Sequence, residues 1–141
     1  MKKIIAIICL ILLGYFGYGI CSAYLVQYEA EKYMEEALPD IAKPWSPDKL
    51  NRRASLWMLE NAKLTPQKIV EMADQDLGDL VKINQKPDCI LQQGYDSFSA
   101  IKHTYAICTN NAQFTKQSVK LKIRLIQENN SWKINDFISV D

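Results

Sequence analysis

The chain has 141 residues, nearly half of them apolar, and a formal net charge of +1. Once a long apolar segment is set aside, that length supports one compact domain and not two. The near-neutral balance gives no global pull toward nucleic acid, and one histidine with no closely spaced cysteine pair offers no metal-ligand spacing, so neither nucleic acid nor a metal or other cofactor is expected.

Ile4 to Val26 pass without a charge behind Met1-Lys2-Lys3. A helix of those 23 residues covers the roughly 30 Å hydrocarbon core of a bilayer. Two lysines before the run, with Glu29 and Glu31 after it, favour a cytoplasmic amino terminus and an exported remainder. A cleavable signal peptide is the alternative, because Cys21-Ser22-Ala23 places small residues for a cut after Ala23. A lipoprotein cut before Cys21 is disfavoured by Ile20 and Tyr18, which stand where small residues are needed. The run exceeds the roughly 7–15 residues of a signal core and continues unbroken into an amphipathic helix. Residues 1–26 are therefore read as a membrane anchor and residues 27–141 as an extracytoplasmic domain. In a bacterium this means one pass through the inner membrane, with the carboxyl-terminal domain in the periplasm.

Beyond the anchor, Val26, Ala30, Tyr33, Met34, Ala37, Leu38 and Ile41 recur at three- and four-residue steps, predicting one helix continuous with the membrane segment until Pro39 ends it. In Pro44-Trp45-Ser46-Pro47 the serine is placed to cap and Pro47 to open a short helix. Leu56, Trp57 and Leu59 extend the apolar pattern to Ala62. Thr65-Pro66 repeats the cap and opens a helix that buries Ile69, Val70, Met72, Ala73 and Leu77, with Gly78 as its stop.

From Leu80 the period changes to two. One strand starts near Leu80 and reaches Cys89 or beyond, with Pro87 marking an edge or bend. Residues 92–98 are read as a loop, and a second strand runs from about Ser99 to Asn110. Val119, Leu121, Ile123 and Leu125 alternate with polar residues, and Asn129-Asn130 suits a two-residue hairpin turn. Folding about that turn sets Leu125 opposite Ile134, Leu121 opposite Ile138 and Val119 opposite Val140. The expected fold is α+β, with a transmembrane helix continuing into helices packed on a curved, four-stranded antiparallel meander.

Cys9 and Cys21 lie in the apolar run. Cys89 and Cys108 would meet an oxidising compartment, where they form either a disulfide or two small buried hydrophobes in separate strands. Acids outnumber bases eleven to seven from Glu29 to Asp79, and bases outnumber acids eight to five from Leu80 to Asp141. A helical half packing on a sheet half accounts for that asymmetry without a partner.

Helices followed by a meander, closing in Val119-Lys-Leu-Lys-Ile-Arg-Leu-Ile and Asn-Asn-Ser-Trp-Lys-Ile-Asn-Asp-Phe, resemble the nuclear transport factor 2-like or cystatin-like superfamily. The likeness is to its small membrane-anchored periplasmic members, and only the last hairpin carries it in residues. The order of elements also resembles the bitopic inner-membrane scaffold of type IV secretion machines. The superfamily includes isomerases, binding modules and scaffolds, so it implies a fold and leaves function open.

Asp136 is the odd residue of the hairpin, because the simple register turns it toward the apolar side. Either a bulge at Asn135-Asp136 returns it to solvent and brings Phe137 inward, or it sits as a general base in a pocket. The isomerase-type relatives place acids in such a pocket; here His103 and Tyr105, sharing a strand face, are the candidate partners. Lys120, Lys122 and Arg124, with Lys116 just before them, form either a solvated face or a docking surface for an acidic partner or anionic lipid. Trp45 and Trp57 cover the open end of the core or anchor a partner.

The preferred expectation is a non-catalytic, membrane-tethered interaction or scaffold module, meeting a protein partner in the cell envelope or a second copy of itself. A pocket protein for a small apolar molecule, binding or isomerising it, is the alternative. A periplasmic immunity role would rest on genetic neighbourhood.

Overall fold

The structure, a computed structural model, describes residues 2–95 and 102–140. Helix α1 (Lys2–Ala42) is a single rod of 41 residues. Ile7, Leu10, Ile11, Tyr15, Tyr18 and Ile20 are exposed along its first part, which is long and apolar enough to cross a membrane. The second part buries Ala30, Met34, Ala37, Leu38 and Ile41 on one stripe against the domain. Pro39 does not end the helix as expected. It lies in the last turn, where a proline forfeits one hydrogen bond near an end, and burial of Ile41 and Ala42 outweighs that loss.

Ser46 caps α2 (Pro47–Arg53), accepting from Lys49 N at 3.4 Å. The apolar pattern to Ala62 is then interrupted. Ala54 and Ser55 extend along the last strand of the sheet, with Ser55 N donating to the Ile134 carbonyl at 2.8 Å. The Ser55 hydroxyl caps α3 (Leu56–Asn61) by accepting from Met58 N at 3.0 Å. Met58 is the buried residue of that helix, while Leu56, Trp57 and Leu59 stay exposed. Helix α4 (Pro66–Asp76) is capped by Thr65 and followed by Gly78 at φ +72°, where a side chain would collide with the Thr115 hydroxyl. Val70 and Leu77 are buried, whereas Met72 is exposed, contrary to the pattern.

The sheet has five strands among the described residues, not four. They are β1 (Leu80–Ile83), β2 (Asp88–Tyr95), β3 (Lys102–Phe114), β4 (Ser118–Glu128) and β5 (Ser131–Val140). All pairs are antiparallel and the sheet is open. The first expected strand breaks between Ile83 and Asp88, and both pieces pair with the long β3. Pro87, lacking an N–H, lies in the break. Strand β2 takes in Gln92 to Tyr95 of the expected loop, and residues 96–98 lie outside the described residues, as do 99–101 of the second expected strand.

Asn129 and Asn130 both adopt left-handed backbone (φ 49° and 59°), making the expected two-residue turn. Leu125 faces Ile134 as expected, but the register then slips twice. Asn135 is an extra residue, so Asp136 faces Arg124 and Phe137 faces Ile123; Ile138 is another, so Leu121 faces Val140. Val119 pairs with Ala112 on β3, and no partner on β5 is recorded for it.

Cys89 and Cys108 are directly opposite on β2 and β3, 4.0 Å apart at Cα, fully buried and joined in a disulfide. Two places along β3 sits Asn110, also fully buried, with neither side-chain polar atom hydrogen-bonded among the described residues. Each such orphan costs about 1–3 kcal/mol. Asn110→Val is therefore expected to raise stability by at least about 1 kcal/mol, read as a higher denaturant midpoint at unchanged slope. A lower midpoint would show that the amide has a partner in solution.

Candidate functional site

Helices α3 and α4 stand off the β4–β5 hairpin and leave a groove of about 640 Å³. Its walls are Trp57, Met58, Leu64, Ile69, Met72, Leu121 and Phe137, with Asp76 and Asp136 among them. Trp57, Leu64 and Met72 are each over two-fifths exposed, so apolar surface is presented along its opening. The volume falls within the range of small-molecule sites, which are mostly apolar with a few polar groups to orient the ligand.

The bulge takes Asp136 out of the apolar register, setting it opposite Arg124 and not Ile123. Asn135 is drawn inward, its Oδ1 accepting from the buried Ser55 hydroxyl at 2.9 Å. Phe137 turns onto the core, and Asp136 is left half-buried on the groove wall. It is thus neither fully returned to solvent nor enclosed.

His103 and Tyr105 do not join it. They line a second hollow, of about 690 Å³, with Arg124, Ile126, Gln92 and α3, whose Trp57 and Asn61 also line the groove. His103, Tyr105 and Arg124 alternate with the buried Ala106 and Cys108 on β3 and Ile123 and Leu125 on β4, so they project from the opposite face of the sheet from the core. The His103 and Tyr105 rings meet edge to face at 6.2 Å. Tyr105 lies over Gly94, where an added Cβ would sit 3.2 Å from the ring. Asp136 lines the groove while His103 and Tyr105 line the second hollow, so the three are not gathered in one pocket, although the bulge sets Asp136 opposite Arg124 of the second hollow.

The expected basic surface divides as well. Lys120 and Lys122 are exposed on the outer face and Arg124 is half-buried in the second hollow. Lys116 belongs to the helix end, donating to the carbonyls of Asp74 (3.0 Å) and Gln75 (2.6 Å), where a cation offsets the negative pole of α4. Trp45 stacks on Phe114 at 5.9 Å and donates from Nε1 to the Gly78 carbonyl at 2.7 Å, closing the core end. Trp57 is the exposed one.

Sequence reasoning missed the buried Ser55–Asn135 pair, for which no spacing signals a contact across 80 residues. Arg53 pairs with a nearby acid, as its place on a helix surface leads one to expect, and that pairing fastens α1 to α2. Arg53 Nε holds Asp40 Oδ2 at 2.8 Å and its guanidinium lies 5.5 Å from the Tyr33 ring centroid. Tyr33 donates to the Arg53 carbonyl at 3.3 Å, and burial raises its phenol above the ordinary pKa. The hydrogen bond from Arg53 holds the Asp40 carboxyl below the usual carboxylate range. Its folded pKa thus lies under the unfolded value near 3.9, so this fastening contributes fully above about pH 4 and is lost as pH falls through the folded pKa. Asp40 is 35% exposed, so solvent screening keeps the effect small. Asp40→Asn should flatten the acid limb of stability against pH, and superimposable acid limbs would contradict this.

Among the described residues, no three His, Cys, Asp or Glu side chains gather into a metal-holding group. No family model matches the chain, and no curated protein or solved structure is significantly similar to it.

Proposed function

We propose that this protein is a membrane-tethered, non-catalytic binding module of the bacterial cell envelope, with its domain in the periplasm. The observation that carries the reading is the continuity of α1: the helix that presents apolar side chains along its first part supplies the innermost residues of the domain without a linker. The domain is thereby held close to the bilayer and at a fixed attitude, as suits a subunit that meets a protein partner in the envelope or a second copy. The buried Cys89–Cys108 bridge fits an oxidising compartment. The order of elements, helices before an open antiparallel sheet, supports the likeness to nuclear transport factor 2-like and cystatin-like proteins.

Cross-linking in intact membranes, followed by gentle detergent extraction, tests the reading. The chain is expected in an assembly that Trp57→Ala weakens, because Trp57 is a large aromatic left two-fifths exposed at the groove. A monomer under every extraction condition, or a reporter fused after Asp141 that reads as cytosolic, would overturn it.

A second reading rests on the groove itself: an apolar cavity with Asp136 on its wall can hold a small apolar molecule and orient it by one carboxylate. Asp136→Asn would then weaken binding of apolar dyes or lipids without changing stability.

A further inference from the structure

A third hollow, of about 470 Å³, lies between α1, the end of α2 and the start of β5. Three cations, Arg52, Arg53 and Lys133, stand around it against the single carboxylate of Asp40. That carboxylate is already shared by Arg53 at 2.8 Å and Lys49 at 3.5 Å. Lys133 Nζ donates to the Arg52 carbonyl at 3.0 Å, which brings its positive charge beside the Arg52 backbone. Arg52 is exposed and pairs with no carboxylate among the described residues. Trp132, 7% exposed, belongs to the same wall, and its indole N–H has no acceptor among those residues. Excess cations around a hollow are the complement of an anion with several acceptor oxygens.

The height of the hollow along α1 puts a lipid headgroup within its reach. Tyr24 and Tyr28 are exposed, 68% and 54%, at the point where the helix enters the domain, as tyrosines of an interfacial belt are. Tyr33, on the wall of the hollow, follows Tyr28 by five residues, about 7.5 Å of rise. The headgroup layer extends roughly 5–7 Å beyond the hydrocarbon on each side. A long arginine side chain spans the small remainder.

We propose that this hollow is a binding site for a phosphate group, taken from an anionic lipid headgroup or as free phosphate. Arg52 and Lys133 supply the charge, while Arg53 stays committed to Asp40 and Tyr33. Only the lipid source rests on the tethered reading given above.

The test uses the full chain and its thermal unfolding midpoint. One arm compares inorganic phosphate with chloride at equal ionic strength in neutral detergent. The other compares nanodiscs of phosphatidylcholine with nanodiscs containing phosphatidylglycerol. A ligand at roughly ten times its Kd raises the midpoint of a domain this size by about 5 °C. The rise is expected in at least one arm, with Arg52→Glu removing most of it and leaving the chloride midpoint unchanged. Lys133→Gln, which keeps a donor for the Arg52 carbonyl, should reduce it. A rise confined to the lipid arm assigns the site to a headgroup, and one confined to the other arm assigns it to free phosphate. No rise in either arm, or a rise that survives both variants, overturns the proposal. Retention of the chain in carbonate-washed membranes reads the tether separately, since its loss alongside an intact phosphate response would reject the tether and keep the site.

Discussion

Replacing Cys89 and Cys108 together by alanine is expected to remove about 3 kcal/mol of stability and to lower the unfolding midpoint by roughly 10–15 °C. The bridge closes a loop with a sequence separation of 19, and the chain entropy it removes from the unfolded state is of that size. It also ties down a strand that is laddered on one edge alone. Strand β2 pairs with β3 alone, so its other edge has no ladder partner among the described residues. With the link cut, residues 88–95 fray first, and the second hollow loses the wall that Gln92 and Gly94 provide. Calorimetry with and without reductant checks this, because reduced wild type should approach the double variant. A midpoint indifferent to reductant would reject it, as would a mass showing both thiols free to alkylate in protein from membranes.

Truncation at two positions should give opposite outcomes, and this contrast is the largest effect expected. A chain starting at Gln27 keeps the buried stripe and should fold as a soluble domain with its disulfide formed. A chain starting at Lys43 should not fold. It lacks Met34, Leu38 and Ile41, all 2% exposed or less, along with Ala30, Ala37 and Ala42. Losing one large core side chain costs about 2–5 kcal/mol, and three such losses consume the whole roughly 5–15 kcal/mol that keeps an ordinary domain folded. Dispersion of amide resonances in the two products decides the matter. A cooperative, well-dispersed 43–141 fragment would mean that the second part of α1 is merely laid on the domain. Single substitutions grade the same effect, with Ile41→Ala expected to cost about 2–5 kcal/mol.

The parts legible in the sequence were those set by period and by local chemistry. Ser46-Pro47, Thr65-Pro66, Gly78 and Asn129-Asn130 each fix a helix end or a turn from their own side chains and backbone preferences, and each does so here. The stripe from Ala30 to Ile41 declared itself by spacing. What was hidden depended on partners distant in the chain. The break at Ala54-Ser55 exists because Ile134 and Asn135 lie alongside it. Of the two bulges in β5, the one at Asn135 was legible, because the simple register puts Asp136 on the apolar side and Phe137 outside; the one at Ile138 was not. Splitting the first strand needed Pro87 to be read as a break and not a bend. Of the candidate site, Cys89 and Cys108 were legible as a pair. Asp136 was legible as an anomaly and a bulge was one of the two readings it allowed, but its separation from His103 and Tyr105 into different hollows was not legible.

Because α1 runs from Lys2 to Ala42 as one piece, the number of residues between its apolar first part and the sheet sets a compass heading. Each residue added to such a rod turns whatever it carries by about 100° and lifts it about 1.5 Å. One alanine inserted between Val26 and Gln27 would swing all three hollows to a new bearing while leaving their walls untouched. Seven inserted residues would bring them back within about 20° of the starting bearing, some 10 Å farther out. A partner sharing the bilayer would feel the first change as a missed encounter, and a free solute would not notice it.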